Sequence, residues 1–383
     1  MEMPWESRTV KEQREGFVEA ATHRRNFSAV CREYGITRKT GYKWMERYLA
    51  GEELADQSRE AHRKPHKTPP EVEAEILRVR ADNPGWGAKT IRQVLENEGV
   101  TGLPSARTVN TVLNRNGCIE EEESQKRKAY LRYEKEACNE MWQADFKGEF
   151  KTKNGKYCYP LDILDDHSRF AIKIKASDTT ANVVIPVFKD AFLDYGLPKA
   201  ILTDNGAQFA GFRNGYTQFE KWLMCLDILP IHGRIKHPQT QGKIERFHRS
   251  MNDEFLKYHE FQDAAHANFA LQDWKEKYNF SRPHEALGMK TPGAVYVPST
   301  RQLPARIKRW EYDGRFHVIK VNNWGYVRFD RFQVYLSETM IGEHVEFRPN
   351  PHEDSFAVCF RNFKIAEYSV EEGKLMNRSI SRL

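Results

Sequence analysis

Apolar positions in residues 8–50 recur at helical spacing. A polar helix is expected through "TVKEQREGFVEAATH". In "NFSAVCREYGITRKTGYKWMERYLAG", Phe27, Val30 and Tyr34 share a helical face, Gly35 makes a turn, Thr37 can cap, and a basic, aromatic helix follows. This is helix-turn-helix grammar. "EELADQSREAHRKPHKTPP" carries charge and prolines without an apolar face and reads as a linker. A second helical trio follows in "EVEAEILRVRAD", "GAKTIRQVLENEG" and "SARTVNTVLNRNG", with Ser105 as N-cap and Gly117 as stop. Two such units in tandem predict a long DNA footprint. The segment "CIEEEESQKRKAYLRYEKEACNE" reads as a charged helical connector, with Glu120 to Glu123 a solvated face.

From residue 141 the period changes to two. In "MWQADFKGEF", Trp142, Ala144 and Phe146 alternate with Gln143, Asp145 and Lys147, so Asp145 points away from the apolar row. "KYCYPLDILDDHSRF" and "AIKIKAS" predict two further strands and an antiparallel meander. "ANVVIPVFKDAFLDYG" reads as a helix, "AILTD" as a strand, and "YTQFEKWLMCLD" and "QGKIERFHRSMNDEFLKY" as helices, which together give a mixed α/β layer fold. Beyond residue 300, short alternating runs separated by Asp-Gly, Asn-Asn and Asn-Pro turns predict a small β-barrel.

Composition narrows the class only modestly. The 383 residues are enough for two to four domains. No apolar run approaches the roughly eighteen residues of a membrane span. The N-terminal residues lack a basic start followed by an apolar stretch, so the expectation is a protein that stays in the cytoplasm. Six scattered cysteines with no Cys-x-x-Cys pair read as free thiols in a reducing compartment, not a zinc site. A net charge of +6 is a mild hint of a polyanionic partner.

The candidate chemistry is acidic. In "KAILTDNGAQF" an apolar strand runs into Asp204, and Asn205 and Gly206 then turn the chain. On the helix starting near Gly242, Ile244, Phe247, Met251 and Phe255 form an apolar stripe, and Glu245, His248, Arg249 and Asn252 a separate polar face. Asp145 in a first strand, Asp204 at a later strand tip and Glu245 early in a following helix can converge at one sheet edge. Such a site suits two Mg²⁺ ions, which take carboxylates plus phosphate oxygens and, about 3.5–4 Å apart, clamp both oxygens of an in-line phosphoryl displacement. Each acid alone also has an ordinary reading, Asp145 as a strand-edge charge, Asp204 as a turn residue, Glu245 as a partner of Arg249. Asp162, Asp165 and Asp166 are rivals, the last two read as strand-end turn residues.

The motifs "WQADFKGEF", "LDILDDHSRF", "LTDNGAQF", "HPQTQGKIERFHRS" and "YNFSRPHEALGMKTPGAVY" resemble the integrase-core (DDE) transposases of bacterial insertion sequences, relatives of retroviral integrase. The resemblance covers roughly residues 140 to 298, and "NPGWGAKTIRQVL" and "SARTVNTVLNRNG" extend it upstream. It implies an RNase H-like core with an acidic triad at Asp145, Asp204 and Glu245 as catalytic residues and metal ligands, and two Mg²⁺ ions with Mn²⁺ as a substitute. Two departures stand out. Asn252 occupies a position that is often Lys or Arg, leaving Arg249 or Lys243 to meet the phosphate, and the interval from Asp204 to Glu245 is longer than the commonest one.

The resulting expectation is a multidomain chain. It comprises a first helix-turn-helix domain (1–51), a basic linker (52–68), a second helix-turn-helix domain (69–118), a helical connector (119–139), an RNase H-like α/β integrase core (140–298) and a small SH3-like β-barrel (299–383). The implied activity is that of a bacterial DNA transposase, nucleoid-associated when bound. It would bind terminal inverted repeats, free 3′-hydroxyl ends and join them to target DNA as a dimer or tetramer. A catalytically idle, transposase-derived DNA-binding regulator is the alternative, and a structure-selective nuclease leaves the two helix-turn-helix units unexplained. The expected DNA contacts are Arg38, Lys39, Lys43 and Arg47 in the first unit, Arg107 in the second, and Lys243, Arg246 and Arg249 beside Glu245. Trp44 and Trp86 read as core residues, and His237 and His248 as structural or DNA-orienting histidines. Ser168 and Cys158 lack the base expected beside a nucleophile.

Overall fold

The computed structural model describes residues 9–56, 68–119, 134–180, 182–211, 215–233, 242–350 and 354–383. It divides into two compact units, residues 1–67 and 68–383. The connector's residues 120–133, the linker's residues 57–67 and His237 lie outside the described residues.

The first unit is a three-helix fold of α1 (Val10–His23), α2 (Phe27–Glu33) and α3 (Arg38–Leu49). Local chemistry sets each start. Thr9 and Glu12 form a capping box, Asn26 caps α2, and the Thr37 side chain accepts from the Thr40 amide to begin α3. Phe17, Val18, Val30, Cys31, Trp44 and Leu54 form its core. Gly41 lets α3 close on that core, since a Cβ there would meet Cys31 Sγ at 2.7 Å.

The second unit opens with α4 (Pro70–Asp82), α5 (Ala88–Asn97) and α6 (Ala106–Arg115) around Ile76, Ile91, Leu95 and Val109. Ser105 caps α6 and Gly117, at φ +69°, follows its end, as the sequence predicts.

A mixed sheet follows, with strands β1 (Trp142–Phe146), β2 (Phe150–Lys151), β3 (Tyr157–Asp165), β4 (Ala171–Ser177), β5 (Ala200–Thr203) and β6 (Leu229–His232). The order is β2-β3-β1-β5-β6, with β4 also paired to β3. The meander β1-β3-β4 is antiparallel, and β5 and β6 are parallel to β1. Helices α7 (Val184–Tyr195) and α8 (Gln218–Cys225) pack with Trp142 and Ala144 on one face. On the other face, α9 (Gly242–Glu254) and α10 (Ala264–Phe280) bury Phe247, Met251, Leu271 and Trp274 against Leu164 and Ile174. A short α11 (Pro292–Val295) closes this part. Gln143 and Asp145 alternate with Trp142 and Ala144 and so face the α9 side.

The C-terminal part is antiparallel: β7 (His317–Lys320), β8 (Tyr326–Phe329), β9 (Phe332–Tyr335), β10 (His344–Pro349), β11 (Ser355–Phe360), β12 (Phe363–Ser369), β13 (Lys374–Asn377) and β14 (Ser381–Arg382). One sheet runs β13-β12-β11-β10-β7 with β14 on β12, and β8-β9 is a separate hairpin. Among the described residues no pairing joins β13 to β7, so the predicted barrel is an open one. Its core includes Tyr216 and Met224 from the α8 region together with Phe347, Val358 and Tyr368.

Candidate active site

Strand register brings the acids together. Asp145 lies directly opposite Asp162 across the β1-β3 ladder, and in the parallel pairing with β5, Gln143 stands beside Leu202. Continuing that register carries Asp145 toward Asp204. The electrostatics agree: burial pushes the Asp145 pKa up to about 6, and the charges of Asp204 and Asp162 add to the rise while His248 opposes it.

The β5 tip that carries Asp204 is braced from below. Asp204 Oδ1 accepts from the Gly206 amide at 3.0 Å, and Asn205 Nδ2 donates to the Gly233 carbonyl at 2.7 Å. Thr203 Oγ1 lies 3.0 Å from His232 Nδ1, whose Nε2 lies 3.0 Å from buried Glu220. Glu220 also accepts from the amides of Gly211 and Thr217, at 2.9 and 2.6 Å.

Helix α9 runs alongside β1. The Ile244 amide donates to Gln143 Oε1 at 3.3 Å, and His248 Nε2 lies 3.0 Å from Asp162 Oδ2. That approach is of ion-pair length without hydrogen-bond geometry, so both Asp162 oxygens are buried without a hydrogen-bond partner among the described residues. Burial raises the Asp162 pKa, and His248 and Lys147 counter it. Glu245 falls on the stretch of α9 between the Gln143 and Asp162 contacts and is exposed. Among the described residues no group of three His, Cys, Asp or Glu side chains stands close enough to hold a metal ion. The structure therefore joins Asp145 with Asp204 and Asp162 and leaves Glu245 at the helix surface.

The other predicted site residues fall into two groups. Arg38, Lys39, Lys43, Arg107, Arg246 and Arg249 are exposed, and the first three line an open hollow on α3 of about 820 Å³ with Thr40, Tyr42 and Glu46. Arg47 and Lys243 are engaged by the protein. Arg47 donates to the carbonyls of Glu53 and Ala55 at 2.5 and 3.3 Å, and Lys243 donates to Asp166 Oδ2 at 2.5 Å, with burial lowering its pKa.

Of the rivals, Asp165 accepts from the Asn139 and Ser168 amides, both at 2.8 Å, as a strand-end turn residue does. Ser168 Oγ donates to the same Asp165 at 2.7 Å, and burial pushes the Cys158 thiol up to about 11. Three residues escaped the sequence reading: Gln143, visible only as a polar residue in a buried strand, and Glu220 and His232, one of which sits on a strand that was not foreseen.

Comparison with known proteins follows this layout. The family described as Integrase core domain matches residues 135–238, and a second family of the same description matches residues 226–292. The centre of the chain is thus similar to an integrase core over residues 135–292. Upstream, a Helix-turn-helix domain family matches residues 13–63 and a Homeodomain-like domain family residues 40–113.

An uncharacterized 31.7 kDa protein of insertion element IS407 from Burkholderia multivorans is 28% identical over 172 residues, 44% of this chain and 60% of the relative. An uncharacterized 39.2 kDa protein of insertion element IS476 from Xanthomonas euvesicatoria is 28% identical over 168 residues, 44% of this chain and 46% of the relative. The chain thus matches about half the length of these relatives. The HTLV-2 integrase catalytic core domain solved in complex with magnesium aligns at 18% identity and a TM-score of 0.31, over 42% of this chain and 97% of that one, too loosely to carry an argument.

Proposed function

We propose that the protein is an insertion-element DNA transposase that uses divalent metal, with Asp145, Asp204 and Glu245 as its metal ligands. The observation that carries this reading is the convergence of Asp145 and Asp204 by strand register at the centre of the sheet, where burial first, with the neighbouring Asp204 charge adding to it, pushes Asp145 up to about 6. Two carboxylates held together without full compensation are a donor set that suits a hard cation.

Asp145 and Asp204 would hold the metal and Glu245 would complete the site from α9. Bound Mg²⁺, or Mn²⁺ in its place, would supply charge neutralisation at the phosphate and activation of the attacking oxygen. The protein's own part is positional. The Thr203–His232–Glu220 contacts hold the strand tip, and Arg246 and Arg249 present cationic groups beside Glu245 for the phosphate backbone.

In the first reaction a water oxygen bonds to phosphorus, the bond to the 3′ oxygen breaks, and that oxygen leaves as a hydroxyl. In the second the freed 3′-hydroxyl attacks a target phosphorus and displaces another 3′ oxygen. The two helix-turn-helix units would read the terminal inverted repeats, through Arg38, Lys39 and Lys43 on α3 and Arg107 on α6. Joining two ends calls for a dimer or tetramer on DNA.

The test is cleavage of labelled duplex carrying the element's terminal repeats, with Mg²⁺, Mn²⁺ or EDTA, for the wild type and Asp204→Asn. Metal-dependent nicking at the repeat boundary, lost in the variant with binding retained, is expected. Specific binding without cleavage under any metal would make the protein a DNA-binding regulator instead.

A further inference from the structure

Asp166 lies just past the end of β3, 1% exposed, and each of its oxygens is engaged. Oδ1 accepts from Gln143 Nε2 at 2.7 Å, and Oδ2 accepts from the Lys135 amide at 2.9 Å and from Lys243 Nζ at 2.5 Å. Lys243 Nζ donates a second bond to the Asp166 carbonyl at 3.1 Å. Gln143 is itself 2% exposed, and its Oε1 accepts from the Ile244 amide. That amide is one of the first-turn donors that a helix cannot satisfy internally.

The contacts form a continuous bridge. Gln143 belongs to β1, two positions before Asp145 on the same face. Lys243 and Ile244 belong to the first turn of α9, immediately before Glu245. Asp166 joins the two, buried and with three protein donors on its carboxylate oxygens. We infer that Asp166 and Gln143 are positioning residues that clamp the helix bearing Glu245 to the strand bearing Asp145, and that Lys243 serves this clamp and not DNA. The inference rests on the functional reading above for its purpose, but the clamp itself is measurable without it.

The two roles of Lys243 predict different behaviour. A phosphate-contacting lysine acts alone, so its loss weakens DNA binding and lowers the salt slope by about one. A clamp residue acts through Asp166, so Lys243→Met and Asp166→Asn produce the same phenotype and Lys243→Arg, which keeps the ion pair, is mild. Side chains that orient metal ligands typically contribute about 10–100-fold in metal affinity or activity.

The experiment uses the full chain in these three variants, with circular dichroism as the folding check. Hydrogen exchange of a peptide spanning residues 243–247 reads the clamp. Binding to duplex terminal repeats across a salt series reads DNA contact. Mn²⁺ affinity by calorimetry and Mn²⁺-dependent nicking read the site.

The expected result is faster first-turn exchange and about tenfold weaker Mn²⁺ binding in Lys243→Met and Asp166→Asn, with end binding and salt slope unchanged and Lys243→Arg close to wild type. Unchanged exchange, or a loss of DNA affinity confined to Lys243→Met, would overturn the inference. A wild type that neither binds Mn²⁺ nor nicks would defeat the functional reading alone, since the exchange and DNA-binding arms would still decide the clamp.

Discussion

Trp86 Nε1 donates to Glu254 Oε2 at 3.1 Å, tying the loop between α4 and α5 to the last residue of α9. Glu254 is at the same time gripped by Arg282, whose Nε lies 3.0 and 2.9 Å from its two oxygens and whose Nη2 donates at 2.6 Å. Neighbouring Gly85, at φ +87°, passes so close that a Cβ would meet the Asp253 carbonyl at 2.7 Å. The second helix-turn-helix unit is therefore seated on the helix that carries Glu245. Trp86→Phe should cost about 1.5–3 kcal/mol, the value of a hydrogen bond to a charged acceptor. Glu254→Gln, which strands the buried Arg282 charge, should cost about 3–5 kcal/mol. Urea denaturation of the two variants checks the ranking.

The raised Asp145 pKa makes a linkage prediction. The folded value of about 6 exceeds the ordinary 3.8, so the folded state binds the extra proton between those limits. Stability of the metal-free protein should fall as pH rises from about 4 to 6 through this group, by on the order of 2–3 kcal/mol. Asp145→Asn should therefore stabilise the metal-free chain at pH 7.5 and give no gain near pH 4. Thermal melts at the two pH values test this.

Metal should reverse the same penalty. Mg²⁺ or Mn²⁺ is expected to raise the Tm of the wild type at pH 7.5 through binding to the folded state. Asp145→Asn and Asp204→Asn should lose most of that rise, and EDTA should return the wild type to its metal-free Tm. An equal rise in all three proteins would place the cation elsewhere.

On α3 the basic residues should separate by role. Arg38→Ala, Lys39→Ala and Lys43→Ala are each expected to weaken duplex binding and lower the salt slope by about one, with little change in stability. Arg47→Ala should instead loosen the first unit, because its guanidinium holds the Glu53 and Ala55 carbonyls and lies 5.1 Å from the Trp44 ring centroid. Paired measurements of DNA affinity and melting temperature distinguish the two classes.

Local signals carried most of the fold. Alternation through Trp142, Ala144 and Phe146 placed Asp145 on the opposite face, and the Ser105 cap and Gly117 stop bounded α6, because these depend on near neighbours. Strand β6 leaves little local signal, since "LPIH" is four residues long, contains Pro230 and does not alternate cleanly. Helix α10 carries a helical stripe of Ala267, Leu271, Trp274 and Tyr278, but the polar residues between them dilute the apolar periodicity. The identities of the triad candidates were legible from motifs. What was not legible is which neighbours they meet: Asp162 opposite Asp145, Asp166 holding Lys243, and Glu220 reaching Thr203 through His232 all depend on sheet register or on pairings between distant elements.

The open C-terminal sheet shares its apolar interior with the central domain through Tyr216 and Met224, and Tyr216 Oη donates to the Ile365 carbonyl at 2.6 Å. Arg382 adds two contacts to the Asp227 carboxylate at 3.0 and 3.2 Å, and Arg361 donates to the Cys225 carbonyl at 3.0 Å. Shortening the chain to residue 298 would thus strip Tyr216 and Met224 of their partners and leave an apolar flank exposed beside α8. A chain cut back to residue 298 should therefore be recovered as insoluble protein, and loss of the C-terminal sheet should destabilise the central domain, not remove an accessory.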